Sequence, residues 1–402
     1  MEHVSLRISS LAASATLAMS QKSNELRAAG IDVINLSVGE PDFNTPERIK
    51  QAAHTAIDDN YSHYTPVAGY ATLRQAVVEK LRRENGLDGF TPEQIVVGNG
   101  AKQELCNVIL AAVNPGDEVI IPTPAWVSYV EMVKLAEGKV VKVACSAEQG
   151  FKLTAAQLRA AITPRTRLLM LNSPSNPTGA VYSREELQAL AEVLADYPDV
   201  LVLSDEIYEH INYTGAPVAS IAAFPTMKGR VAIVNGVSKA YAMTGWRIGW
   251  VAAPLWLAKA VSKLQGQYTS GASSIAQKAA EAAYDGSEAI AAEVERMRAA
   301  FASRRALICR LLAAIPGLEL CEPDGAFYVF PGVSTFFGRR YGDTVVNNSA
   351  DLAMYLLNEA HVATVAGSAF DAEGFIRLSY ATSEQNIITA VERIKVALAN
   401  LR

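Results

Sequence analysis

A lysine that closes an apolar stretch, followed eight residues later by an arginine among glycines, is an arrangement that could do chemistry. It occurs in Ser238-Lys239-Ala240-Tyr241-Ala242-Met243-Thr244-Gly245-Trp246-Arg247-Ile248-Gly249. Desolvation lowers a lysine's pKa and frees its amine to attack carbonyls. A guanidinium flanked by glycines suits a fixed anion such as a phosphate ester. Each residue alone also has a plainer reading, a lysine snorkelling to water and an arginine paired with a local acid.

Three further segments carry comparable signals, each directly after an apolar run. Asn172-Ser173-Pro174-Ser175-Asn176-Pro177-Thr178-Gly179 follows Leu168–Leu171. Two X-Pro bonds fix the shape of that turn, and either can be cis. Asn176 sits where a polar group can donate to a bound oxygen, or it belongs to a rigid turn with Thr178 or Ser183 capping the next helix. Ser204-Asp205-Glu206-Ile207-Tyr208 follows Val200–Leu203; a carboxylate there either faces a cation or caps a helix. Gly98-Asn99-Gly100-Ala101-Lys102 is a glycine turn into a helix start, where free N–H groups and the helix dipole favour a phosphate. It is neither a Walker loop nor a complete G-x-G-x-x-G, so nicotinamide binding loses its main support. Together these segments supply a reactive lysine, an acid to hold a ring nitrogen protonated, donors for a phenolic oxygen and a phosphate cup. That set is what pyridoxal phosphate requires.

The elements that must position these groups follow from the hydrophobic pattern. Ile95–Val97, Glu118–Ile121, Leu168–Leu171, Val200–Leu203 and Val231–Val234 read as short apolar strands. Lys102–Val113 and Arg184–Leu194 between them read as helices. Such alternation predicts a mostly parallel sheet buried on both faces. From about Ala276 the pattern changes to long helices, Ala276–Tyr284 and Glu288–Ala314. Leu318–Glu322 and Ala326–Phe330 then read as antiparallel strands, before helix Ser349–Glu359, strand Phe375–Leu378 and helix Ser383–Leu401. The expected fold class is α/β, a large domain with a central sheet flanked by helices plus a smaller α+β domain. Tyr341–Asn348 is expected to be an exposed loop.

At 402 residues the chain is long for one compact unit, and 50% hydrophobic against 19% charged residues excludes global disorder. Thirty-six Lys+Arg against 41 Asp+Glu, a net charge of -5, leaves no polycationic footprint for nucleic acid. Cys106, Cys145, Cys309 and Cys321 form no C-x-x-C pair. His3, His54, His63, His210 and His361 show no metal-ligand spacing, so no metal site is expected. Ile8 to Gln21 is uncharged, but its serines and threonine interrupt any signal-peptide centre, and no apolar run reaches the roughly 18–20 residues of a membrane span. The expectation is a cytoplasmic protein with an attached N-terminal arm.

With these residues in view, the sequence resembles the class I/II pyridoxal-phosphate aminotransferases of fold type I. The likeness runs end to end and is nearest in pattern to the bacterial aspartate subgroup, some members of which accept prephenate. It is carried by Val38-Gly39-Glu40-Pro41-Asp42-Phe43, Tyr64 with Gly69, Trp126, Asn172 to Gly179, Asp205-Glu206-Ile207-Tyr208, Lys239 to Gly249, and Arg377-Leu378-Ser379-Tyr380. The resemblance implies that Lys239 joins the cofactor and acts as general base and acid, and that Asp205 pairs with the pyridinium nitrogen. It gives Tyr208 and Asn176 the phenolic oxygen. Arg247, Gly100, Ala101 and Ser238 would take the phosphate, with Tyr64 reaching the phosphate of the neighbouring subunit of a homodimer. Trp126 would lie on the ring with its indole N–H also able to meet the substrate, Arg377 would clamp the substrate α-carboxylate, and Gly39 would close over it.

Lys102 and Thr16 match positions that contact a distal carboxylate in that subgroup, and that reading is preferred to the plainer ones, a phosphate ligand or solvated lysine for Lys102 and a helix cap for Thr16. Gly236 departs from the many relatives that carry a serine there, and Gln265–Ser274 should approach the partner's site. The implied activity moves the amino group of L-aspartate to 2-oxoglutarate by a ping-pong mechanism, with prephenate as a further substrate. An aromatic or aliphatic aminotransferase, or a lyase or synthase, would use the same lysine. A pyridoxal-phosphate-sensing regulator would need a DNA-binding head, and no helix-turn-helix pattern is present. The implied division is residues 1–45 as arm and part of the small domain, 46–285 as the large domain and 286–402 as the small one.

Overall fold

The computed structural model describes residues 4–402; His3 and the first residues of the expected arm lie outside them. Seven strands form one sheet in the order Ile95–Gly98, Gly249–Ala252, Val231–Gly236, Leu201–Asp205, Thr166–Asn172, Glu118–Thr123 and Lys139–Ala144. All pairings are parallel except the two made by Gly249–Ala252. Alternate residues of each strand feed two separate cores. Leu169, Leu171, Val202 and Ile233 face one helical layer, whereas Leu168, Met170, Leu201, Leu203 and Val234 face the other. That period-two division explains why the strands read as unbroken apolar runs, since both faces are covered. Helix Arg184–Ala195 is started by Ser183, whose hydroxyl accepts from the Glu186 N–H in a reciprocal capping box.

A third core gathers Met297, Phe301, Ile308 and Leu312 of helix Glu288–Ala313 with Ile387, Val391 and Ile394 of helix Glu384–Asn400. Here the sheet is a three-stranded antiparallel one, with Ile376–Ser379 between Val365–Ala366 and Tyr328–Val329. The early segment Ile34–Asn35 pairs with Val362–Ala363 of this lobe, so the chain's beginning and end share one structural unit.

Several expectations fail for definable reasons. Leu318–Glu322 is not a strand; only an isolated bridge between Glu319 and Gly332 forms. Of Ala326–Phe330 only Tyr328–Val329 pairs as a strand. Tyr341–Asn348 is exposed over its first five residues but not a plain loop, because Arg340–Tyr341 and Thr344–Val345 make a small hairpin. The edge strand Lys139–Ala144 escapes the apolar pattern because its outer residues are solvent-facing lysines. Gly249–Ala252 escapes because it begins directly after the Arg247 turn, with four residues only.

Candidate active site

Asn172 and Asp205 are the last residues of adjacent parallel strands and stand opposite one another in register. They therefore lie at the carboxyl edge of the sheet, where open α/β sheets bind ligands. Both proline bonds of the following turn, Ser173-Pro174 and Asn176-Pro177, are cis. Asp205 is buried. Its Oδ2 accepts from the Tyr129 hydroxyl at 2.6 Å and its Oδ1 from the Ile207 N–H at 3.2 Å. Burial pushes its pKa up to about 6, against the opposing pull of the Tyr129 hydrogen bond. No helix follows directly, so Asp205 is not a helix cap but the anchor of a turn.

Lys239 comes three residues after the strand Val231–Gly236. Its half-buried amine donates to the Gly39 carbonyl at 2.6 Å. Burial brings its pKa down to about 8, with the charge of Glu40 resisting and those of Arg377 and Arg247 adding. An amine in that state is substantially neutral near pH 8 and able to attack a carbonyl.

At the other end of this wall, Gly100 (φ +88°) opens helix Ala101–Ala112 and offers no side-chain cap. The guanidinium of Arg247 lies against Gly100 so closely that a Cβ there would collide with it. Arg247 is itself held by the Thr244 carbonyl at 2.8 Å and the Asn99 carbonyl at 3.3 Å. An uncapped helix start beside an exposed guanidinium is an anion site. The Gly236 departure has a steric cause, since a Cβ at that position would come within 2.8 Å of Gly249 Cα and the Ile248 carbonyl. The Lys102 amine stands over the Trp126 ring at 4.7 Å, and desolvation, then Arg247, lowers its pKa.

The facing wall comes from the smaller lobe. Arg377 is only 2% exposed, yet among the described residues its side-chain partners are an amide and a carbonyl rather than a carboxylate. Its Nη2 donates to the Ser37 carbonyl at 2.6 Å and its Nη1 to Asn176 Oδ1 at 2.8 Å, while its Nε is buried without a partner. The guanidinium lies over the rings of Tyr328 and Phe370, at 4.5 and 5.1 Å.

These walls enclose a cavity of about 590 Å³. Lys239, Asp205, Tyr208, Asn176, Ser238 and Arg247 line it, as do Ala101, Lys102, Trp126, Gly39, Arg377 and Thr16. Thr16 belongs to helix Ala15–Ala28 and bonds Ser14 Oγ at 2.9 Å. Gly100 is not among the residues that line the cavity, and the Arg247 guanidinium lies where its Cβ would be. Tyr64 is not brought to it at all; its side chain is 99% exposed. In the Gln265–Ser274 region Gln265 turns inward to the Val67 and Val97 carbonyls, whereas Tyr268 is largely exposed. Tyr129, Tyr328 and Glu40 also line the cavity and were not singled out as site residues. Glu40 stands in the quoted Gly39-Glu40-Pro41 run, but the two tyrosines carry no local signal, because an aromatic in an apolar helix or strand reads as core.

A family model described as aminotransferase class I and II matches residues 31–394. The chain belongs to that family. This aminotransferase is 47% identical to the aspartate/prephenate aminotransferase of Nitrosomonas europaea, over 98% of this chain and 100% of the relative. Its fold superposes on the crystal structure of the aspartate aminotransferase from Rhizobium meliloti with a TM-score of 0.96, at 46% identity and 100% coverage of both chains. The aspartate aminotransferase of Thermus thermophilus with maleate gives 0.93 at 44% identity, covering 99% of this chain and 100% of that one. In this aminotransferase the cavity combines an anion site, a half-buried amine, a buried acid and a guanidinium with an unused donor. Those groups fit a flat phosphorylated cofactor and a carboxylate substrate together.

Proposed function

We propose that this chain is a pyridoxal-phosphate-dependent aminotransferase that moves the amino group of L-aspartate to 2-oxoglutarate, giving oxaloacetate and L-glutamate, and that also uses prephenate. The observation that carries the reading is the pairing of Lys239 with Arg377 across one cavity. Among the described residues, one is an amine with a depressed pKa whose hydrogen-bond partner is a backbone carbonyl, and the other a buried guanidinium without a carboxylate partner.

Pyridoxal phosphate supplies an aldehyde that amines can join and a ring that accepts the electron pair left when the substrate α-carbon loses its proton. Arg247, the Ala101 helix start and Ser238 hold the phosphate, with Gly100 leaving room for the guanidinium. Asp205, ionised above about pH 6, keeps a proton on the ring nitrogen. Tyr208 and Asn176 donate to the phenolic oxygen; Asn176 Oδ1 is already committed to Arg377, which turns its amide toward donation. Trp126 covers the ring face. Arg377 takes the substrate α-carboxylate as a planar pair, and Gly39 lets main chain close over it. Lys239, whose amine lines the cavity, would take the proton from the substrate α-carbon and return it. Lys102 and Thr16 meet the distal carboxylate. Oxaloacetate leaves before 2-oxoglutarate enters, so the kinetics are ping-pong.

The same reading makes the protein a cytoplasmic homodimer in which Tyr64, nearly free of its own chain, reaches the partner's phosphate. No helix among the described residues is long and apolar enough to cross a membrane. It also divides the chain at residues 45 and 285. Steady-state assays with aspartate, prephenate and phenylalanine as alternative substrates test it. Turnover with aspartate and 2-oxoglutarate along parallel double-reciprocal lines is expected; turnover confined to phenylalanine or alanine would contradict it.

A further inference from the structure

A hydrogen bond between two tyrosine hydroxyls also links the lobes beside the groups assigned above to cofactor and substrate, and no sequence motif announces it. Tyr328 lies in the strand Tyr328–Val329, next to the strand that carries Arg377. Its hydroxyl is 2.8 Å from the hydroxyl of Tyr208, which belongs to the turn after Leu201–Asp205 in the other lobe. Both side chains are buried, and their rings meet edge-on with centroids 5.8 Å apart. The Arg377 guanidinium sits 4.5 Å from the centre of the Tyr328 ring. A Cβ at position 39 would run into the Tyr328 hydroxyl. This one side chain therefore touches the phenolic-oxygen donor, the carboxylate fork and the glycine whose carbonyl holds Lys239.

We infer that Tyr328 is a positioning residue of the reaction: its hydroxyl fixes the hydroxyl of Tyr208 and its ring seats the guanidinium of Arg377. The inference rests on the roles proposed for Tyr208 and Arg377. A phenol offers one proton and two acceptor sites, so only one of the two tyrosines donates in their shared bond. The cation over the Tyr328 ring makes its hydroxyl the better donor. Tyr208 then accepts with a lone pair and keeps its own proton for the cofactor's phenolic oxygen. Without Tyr328 that proton loses its alignment, and the oxygen keeps more of its charge. The cofactor-linked nitrogen of Lys239 then holds its proton more tightly.

The two functions of Tyr328 separate by substitution, because phenylalanine keeps the ring and removes only the hydroxyl. In the cofactor-loaded protein, Tyr328→Phe should raise the midpoint at which the visible band titrates with pH by about half a unit. Its KM for aspartate should stay within about twofold of the parent's, since the ring remains. Tyr328→Leu should in addition raise that KM about tenfold. In a Tyr208→Phe background, Tyr328→Phe should leave the midpoint where it is. A Tyr328→Phe protein that only melts earlier, with an unmoved midpoint, overturns the inference. So does an equal midpoint shift in the Tyr208→Phe background. Unaltered protein that shows no visible band overturns the cofactor reading itself, and with it the inference, so the two failures are told apart.

Discussion

Two lysines in this molecule, one buried and one half-buried, have opposite surroundings. Lys80, on helix Ala71–Asn85, is fully buried and saturated: it pairs with Glu209, donates to Asn85 Oδ1 at 2.8 Å and has Glu84 at 3.7 Å. Asn85 and His210 complete the cluster around the two carboxylates, at 2.8 and 3.1 Å. Lys239 has one carbonyl as its hydrogen-bond partner among the described residues. The acids follow suit, although only four residues separate them. Burial pushes Glu209 up, but Lys80, His210 and the hydrogen bonds outweigh it, and its pKa ends below the usual carboxylate range. Burial also pushes Asp205 up, and there it wins. Full pairing marks a strut; burial with unused hydrogen-bonding capacity marks a place prepared for a ligand. Glu84, Glu209 and His210 also lie close enough to hold a cation, but the Lys80 ammonium already fills that role.

The contrast breaks most visibly at the lysines. Lys239→Ala should lower transamination at least ~1000-fold, while the urea midpoint moves little; near-normal turnover would remove Lys239 from the chemistry. Lys80→Met should do the reverse. It leaves Glu209 buried without its cation, costing about 3–5 kcal/mol in urea unfolding, with kcat/KM of the folded fraction unchanged. Arg377→Lys keeps the charge and loses the fork, so kcat/KM for aspartate should fall about 10- to 100-fold; an intact value would mean the guanidinium is structural.

A smaller effect separates the two acids by pH. Asp205 has a folded-state pKa of about 6 against an ordinary 3.8, so the folded cofactor-free chain holds a proton that the unfolded chain has released. Its contribution is fully present below about pH 4 and is lost as pH rises to about 6. Glu209 has the opposite sign, stabilising above the ordinary carboxylate pKa and losing that effect as pH falls. Asp205→Asn should therefore flatten the decline between pH 4 and 6, by on the order of 1–3 kcal/mol, in urea titrations of the cofactor-free protein. The smallest change is expected for Lys102→Ala, which should reduce kcat/KM about tenfold more for aspartate than for phenylalanine; equal losses would remove Lys102 from specificity.

The parallel sheet is legible because both its faces are covered, which leaves strands such as Leu168–Leu171 and Val200–Leu203 uniformly apolar. Lys239, Asp205 and Asn176 are legible because polar residues at the ends of such runs need a reason to be there. The smaller lobe is less so. Its strands are two to four residues long, and isolated pairing at Glu319 replaces the strand expected at Leu318–Glu322. Lys80 reads as one more solvated lysine in an Arg- and Glu-rich helix, since its partner Glu209 lies 129 residues away. Tyr129 and Tyr328 are silent for the same reason. Their hydroxyls find Asp205 and Tyr208 only through the tertiary fold, at sequence separations of 76 and 120.

The most direct measurement is the absorbance spectrum of the purified protein with pyridoxal phosphate, recorded before and after L-aspartate is added. A visible band that disappears with aspartate and returns with 2-oxoglutarate is the predicted result, since it requires both the Lys239 amine and the Arg377 fork to be open to their ligands. A band that never forms would contradict the central claim that these two underpaired groups are held ready for a cofactor and its substrate.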